Sequence, residues 1–248
     1  MSNHPNMDYP GRKIVKRSLK LAPTSSLATL ATQRIRDAIT DGEFALGEMI
    51  PEESLAQAMG ISRTPVREAL NQLQRIGLVV IKPQRGSYVF EPSEEDIDAI
   101  CSYRYMLESQ AARMAHAQNM EATLNAMSDA VTAMEKARGD GDRVAYGQAD
   151  TRFHAAFFEN CGNDYLRAAY DLVSGKIAAL RTQLTAPFDA LRSQSFDEHR
   201  DFVELFRVGG FTQIDALMRE HVNRTGVVYS QAWKALQKTT ADQTDRKI

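Results

Sequence analysis

Apolar positions in the first third of the chain recur at helical spacing and then give way to short strand-like runs. Leu27, Leu30, Ile35 and Ile39 are spaced as on one helix, which Asp41-Gly42 interrupts. A second short helix is predicted from Glu52 to Met59, stopped by Gly60. Ser62 stands as N-cap of a third, with Pro65 in its first turn and its end at Ile76-Gly77. Leu78–Ile81 and Ser87–Phe90 read as two strands joined by Lys82-Pro83-Gln84-Arg85-Gly86, a hairpin with glycine near its tip. Ser93, with Asp96 three residues on, signals the start of another helix. From there to about Leu236 the periodicity is only helical, broken near Asn119, Gly139-Asp140-Gly141, Gly162-Asn163, Pro187 and Gly209-Gly210. The expected fold is mainly α: an N-terminal winged helix-turn-helix, then an all-α antiparallel bundle of six or seven helices. The corresponding segments are a flexible basic tail (1–23), the winged helix-turn-helix (24–91), the helical bundle (92–237) and a flexible polar tail (238–248).

Helix, short helix, turn and third helix form the helix-turn-helix pattern, whose last helix enters the major groove by its N-terminal turn. Arg63 and Arg67 lie four apart and share one face of that turn. The arginine fork matches guanine O6 and N7 with two hydrogen bonds. Ser62, Thr64 and the free N–H groups of the Pro65 turn are placed for phosphates. Lys82, Arg85 and Gly86 would ride on the hairpin as a wing. A small helical domain with solvated arginines is the plain alternative, which a basic hairpin in this place disfavours.

Charge adds a hint and composition sets limits. Residues 1–91 carry twelve Lys and Arg against nine Asp and Glu, while residues 92–248 carry eighteen against twenty-three. A basic first third points to an anionic partner such as operator double-stranded DNA. No run of about 18 apolar residues marks a membrane span, and no apolar stretch opens the chain as a leader would. Cys101 and Cys161 stand 60 residues apart and read as free thiols of a cytoplasmic protein.

The bundle helices carry polar groups on their inward stripes. Gly147, Asp150, His154 and Phe157 form one; Phe196, His199, Val203 and Phe206 a second; Ile214, Met218, His221, Thr225 and Val228 a third. A buried carboxylate must be paired or bind a metal. Asp150, His154, His199 and His221 together suit a divalent ion, zinc first, with nickel or manganese as alternatives. Singly, each histidine reads as a hydrogen-bonded core residue. His116 is expected on a surface face, and neither it nor His4 is assigned a role. Ile97, Ile100, Arg104, Leu107, Ala111 and Met114 turn Arg104 inward, as a clamp for an anionic effector or as an ion pair with Glu108. Arg181, between Ile177 and Leu184, is placed to line the same cavity.

The run Met49–Ala56, the segment Met59–Leu70 containing Ser-Arg-Thr-Pro-Val-Arg-Glu-Ala-Leu, and Arg85–Val89 closely resemble the GntR family of regulators. The resemblance implies base reading by Arg63 and Arg67 and a minor-groove position for Gly86. Where some relatives have an arginine after the proline, this chain has Glu52-Glu53-Ser54. Tyr103-Arg104-x3-Glu108, Asp150-x2-Phe153-His154, Glu198-His199 and Met218-x2-His221 resemble the FCD-type effector domain of the FadR branch. That resemblance implies a metal on Asp150, His154, His199 and His221, a small carboxylate metabolite beside it, and a homodimer on a near-palindromic operator. It makes the chain a transcriptional regulator, a repressor by expectation, and not an enzyme. A metal-sensing regulator, or a metal-dependent enzyme with a DNA-binding head, are the alternative readings.

Overall fold

The computed structural model describes residues 26–185, 189–208 and 210–245. The expected 1–23 tail lies outside them. Helix α1, Leu27–Thr40, starts at Ser26, whose hydroxyl accepts from the Thr29 amide at 3.2 Å. Strand β1 is Met49–Ile50, a two-residue element the hydrophobic pattern had not marked. Helices α2, Glu52–Met59, and α3, Arg63–Arg75, follow. Strands β2, Val79–Lys82, and β3, Gly86–Val89, pair antiparallel, and β1 adds to the free side of β3, giving the order β1-β3-β2.

Ile35, Ile39, Val66, Leu70, Leu73, Leu78 and Val89 form the core of this head, each at most 1% exposed. One expectation fails. Leu27 and Leu30 are more than half exposed, and the buried line of α1 is Ala28, Ala31, Ile35, Ala38 and Ile39. Alanines let α1 approach α3 closely, so the helix is rotated with its first two leucines outward. Between α2 and α3 the chain reverses at Gly60, held at φ 65°, with its amide donating to the carbonyls of Ala56 and Gln57. At the hairpin tip the positive φ falls on Gln84 (60°) as well as on Gly86 (111°).

Helix α4, Glu94–Gly139, opens with a reciprocal cap: Asp96 N donates to Ser93 Oγ at 3.1 Å and Ser93 N to Asp96 Oδ2 at 2.9 Å. Asn119 leaves helical geometry (φ −143°, ψ 50°), so α4 is two arms at an angle. Helices α5, Arg143–Asn160, α6, Asp164–Thr185, α7, Asp189–Val208, and α8, Phe211–Asp245, complete the bundle. With the arms of α4 counted separately there are six bundle helices among the described residues. The polar segment from 238, expected as a tail, continues α8 to Asp245. Along α4 the most buried positions are Ile97, Cys101, Arg104, Glu108, Ala111 and Ala115, while Ile100, Leu107 and Met114 lie at the margin of that face. His116, expected on the surface, is half-buried because the Phe206 ring of the last turns before Val208 packs edge-on to it, with centroids 5.0 Å apart. Cys101 and Cys161 are free and buried.

Helix α6 joins bundle to head. The Gln183 side chain accepts from Leu46 N at 2.9 Å and donates to Phe44 O at 3.1 Å and Ile39 O at 3.3 Å. Gln148 Nε2 reaches Asp41 Oδ2 at 3.0 Å, and Arg36 Nη2 donates to Asp171 O at 3.2 Å.

Gly60→Ala forces a side chain into the left-handed region and is expected to cost about 1–2 kcal/mol, with no steric contribution because the space around it is open. Gly139→Ala, equally open but without positive φ, should be neutral or stabilise by up to about 1 kcal/mol. Urea unfolding of both variants measures the contrast.

Candidate metal centre and DNA-reading face

Five helices send charged side chains to one point in the bundle. Helix α4 supplies Arg104 and Glu108, α5 Asp150 and His154, α6 Arg181, α7 Glu198 and His199, and α8 His221 and Arg224. All but Arg224 are buried. One ring nitrogen of each of His154, His199 and His221 lies within 4.8 Å of the others.

Two of the three rings are oriented by a hydrogen-bond acceptor at Nδ1, and the third has a carboxylate near its Nδ1. His199 Nδ1 meets Ser195 O at 2.5 Å, His221 Nδ1 meets Glu198 Oε2 at 2.6 Å, and His154 Nδ1 lies 2.9 Å from Glu108 Oε2. A proton held at Nδ1 leaves Nε2 with its lone pair. His154 Nε2 and His199 Nε2 face each other at 3.3 Å. Two lone pairs at that distance repel, and a cation between them converts the repulsion to attraction. Part of that demand is met by Arg104, whose Nη2 lies 2.9 Å from His154 Nε2 while its Nε donates to Glu108 Oε1 at 2.7 Å. Arg104 is therefore inward, and the ion pair with Glu108 is present.

Asp150 Oδ1 is 3.3 Å from His199 Nε2, and Oδ2 is 3.7 Å from His154 Nε2. Its carboxylate is also gripped by Arg181 Nε, and Arg181 Nη1 donates to Thr151 Oγ1 at 2.8 Å. Burial pushes the Asp150 carboxyl up, but Arg181 and the neighbouring imidazoles outweigh it and hold it well below the usual carboxylate range. Burial pushes all three imidazoles down. His154 falls well below the ordinary value with Arg104 adding to the effect, His199 falls against the pull of Asp150, and His221 reaches about 4 despite its bond to Glu198. Three neutral imidazoles and one ionised carboxylate are the donor set a borderline divalent cation takes, and these residues fit one.

A pocket opens beside the cluster, lined among others by Arg104, Asp150, Arg181, His221, Thr225 and Tyr229. Arg181 Nη2 and Tyr229 Oη point into this region buried and without a hydrogen-bond partner among the described residues. Tyr229 was not singled out from sequence, although it continues the inward face of α8 one residue past Val228. Glu198 was named only within the Glu198-His199 motif and given no role, yet it reaches His221 and Arg224 across the α7–α8 contact. Residue spacing on one helix reports its own inward face, not a bond that forms between two helices.

In the head, Ser62 is the N-cap residue of α3, with no side-chain cap bond, and Ser62, Arg63, Thr64 and Arg67 are exposed. Pro65 is half-buried, and Val66 and Leu70 beneath hold α3 to the core. On the hairpin Lys82, Arg85 and Gly86 are exposed, with Lys82 Nζ 4.5 Å above the Tyr88 ring and Tyr88 Oη donating to Arg85 O at 3.0 Å.

Comparison with known proteins settles the family. Residues 27–89 match the family described as bacterial regulatory proteins, gntR family, and residues 99–224 match the FCD domain. The chain belongs to the GntR family, with an FCD domain. GntR relatives include the "Probable D-xylose utilization operon transcriptional repressor" of Paenarthrobacter nicotinovorans, 26% identical over 78% of this chain and 86% of that protein. The regulator LutR of Bacillus subtilis is 26% identical over 77% and 96%, and the repressor NanR of Escherichia coli K12 24% over 91% and 92%. The fold is shared with E. coli McbR/YncC (TM-score 0.74, 19% identity, 84% of this chain and 99% of that one) and with a GntR regulator from Rhodococcus sp. RHA1 (0.72, 20%, 82% and 96%). These GntR relatives are regulators and not enzymes. No helix among the described residues is long and apolar enough to cross a membrane.

The depressed imidazoles make the metal-free protein acid-sensitive. Unfolding returns each histidine to about 6.5, so below that pH the unfolded chain binds protons the folded chain refuses. Stability present above pH 6.5 should fall as pH drops toward 4, by roughly 3 kcal/mol from His221 alone. Chemical denaturation of chelated protein at stepped pH measures it, and His221→Gln should flatten the curve.

Proposed function

We propose that this regulator is a repressor whose hold on operator DNA is controlled by a small carboxylate bound beside a divalent metal in the FCD bundle. The observation that carries the reading is the pocket chemistry. Two buried guanidiniums, Arg104 and Arg181, and the unpartnered Tyr229 hydroxyl border one pocket with His221 and Asp150. Buried donors without acceptors are costly, and an anionic ligand satisfies them. His154, His199, His221 and Asp150 would hold the ion, zinc by donor type. When bound it supplies Lewis acidity, which favours a carboxylate or hydroxy-carboxylate over a neutral ligand. The repressor direction is supported by the printed names of the xylose-operon and NanR relatives.

Arg63 and Arg67 would read guanine edges in the major groove, with Ser62, Thr64 and the Lys82–Gly86 wing on the backbone. One such head covers a half-site. A homodimer places two on a near-palindrome, in the cytoplasm where the operator lies. Helix α6 offers the link between the sites. Arg181 grips Asp150 inside the bundle, and Gln183, two residues on, holds three backbone groups of the head. A carboxylate that competes for Arg181 shifts α6, and the Gln183 clasp carries that shift to the head. Effector and operator then weaken each other reciprocally.

Arg63→Ala and Arg67→Ala should each cost about 1–3 kcal/mol of operator binding without loss of melting temperature. A thermal-shift screen of small carboxylic acids on zinc-loaded protein should find a ligand giving about 2.7 kcal/mol of stabilisation at a hundredfold excess over Kd. That ligand should release operator from the parent but not from Arg181→Ala. Screening hits confined to neutral compounds would reject the carboxylate reading. Gln183→Ala should keep both affinities within about threefold while reducing their coupling, which lies at about 1–3 kcal/mol in such systems; unchanged coupling would remove α6 as the link.

A further inference from the structure

Both base-reading arginines are held by carboxylates of the preceding helix. Arg67 Nε donates to Glu52 Oε2 at 2.8 Å, and Arg63 Nη2 meets Glu53 Oε2. Glu52 and Glu53 are consecutive in the first turn of α2, so the turn through Gly60 folds two anions onto the two cations of α3. Glu52 is the better fixed, its side chain 30% exposed against 57% for Glu53. Arg67 remains 61% exposed, and its Nη atoms have no partner among the described residues.

We propose that Glu52 is a specificity-determining positioning residue for DNA reading, acting through Arg67, whereas Glu53 meets Arg63 at a fork nitrogen and is not assigned that role. The inference rests on the assignment of these arginines as base readers. The bond at Nε fixes the guanidinium plane and leaves the Nη edge as the free fork. Two parallel donors are what guanine O6 and N7 require. The carboxylate also cancels the charge of the arginine it holds. Non-specific binding depends on net cations that displace counterions from phosphates, whereas guanine offers neutral acceptors and needs aimed donors. The pair therefore weakens phosphate binding more than base reading and widens the gap between operator and other DNA. Exposed pairs of this kind add about 0–1 kcal/mol to folding, so their main consequence is in recognition.

The test uses the full chain, a duplex selected by it from a random pool, and a shuffled duplex of equal composition. Glu52→Gln should bind the shuffled duplex roughly eightfold tighter near 0.1 M salt, the factor that one added phosphate contact carries, with the salt slope steeper by about 0.9. Affinity for the selected duplex should change by less than about threefold, so that the ratio falls. In an Arg67→Ala background Glu52→Gln should change nothing. Equal changes on both duplexes, or effects that persist without the arginine, would overturn the proposal. Arg67→Ala that leaves the parent's ratio intact would instead remove the base-reading assignment beneath it.

Discussion

Taking ionised side chains out of water costs several kcal/mol each unless every one finds an opposite charge or a donor, and this bundle buries two guanidinium and carboxylate pairings, with a third at their edge, around three imidazoles. Everything in the FCD bundle follows from how that demand is met. Glu198 takes the Nδ1 proton of His221 and pairs with Arg224, while Glu108 pairs with Arg104 and lies 2.9 Å from His154 Nδ1. On the inner side His154 and His199 turn Nε2 toward each other and toward Asp150, with Arg104 Nη2 beside the His154 nitrogen. A core that only needed to fold would put leucine there, because replacing buried ion pairs with apolar residues is often neutral or stabilising. Retaining them makes sense where the unsatisfied inner edge is the working part.

The reading head is governed by the opposite situation. Its charges are exposed, so each contributes little to stability and much to what the surface attracts. The apolar side of α3, through Val66, Leu70 and Leu73, fixes the helix, and the acidic turn of α2 fixes the arginines on it. Between these regimes runs α6, whose last turns touch the buried lattice through Arg181 and the head's backbone through Gln183. Under the proposed function, coupling between the sites would need no longer path than those two residues.

Much of the fold was legible in the chain because its punctuation is strong. Gly60, Gly77, the Ser93–Asp96 cap and the Gly139–Gly141 break each mark a boundary by backbone chemistry alone. Strand β1 was not legible, since two residues carry no period and pair only because β3 is already in place. Leu27 and Leu30 misled for a related reason: apolar spacing identifies a helix, but alanines at the contact decided which side faced inward. In the candidate centre the inward direction of Asp150, His154, His199 and His221 followed from single-helix periodicity. Glu198, Tyr229 and the Arg181–Asp150 grip did not, because each depends on how two helices are set against each other.

X-ray absorption at the zinc edge, on full-length protein purified and dialysed without chelator, bears most directly on the central claim. The account predicts close to one zinc per chain in a nitrogen and oxygen shell at about 2.0–2.2 Å with imidazole outer scattering, lost in His154→Ala, His199→Ala and His221→Ala. Protein that retains no metal when supplied with it, or a sulfur shell at about 2.3 Å, would contradict it.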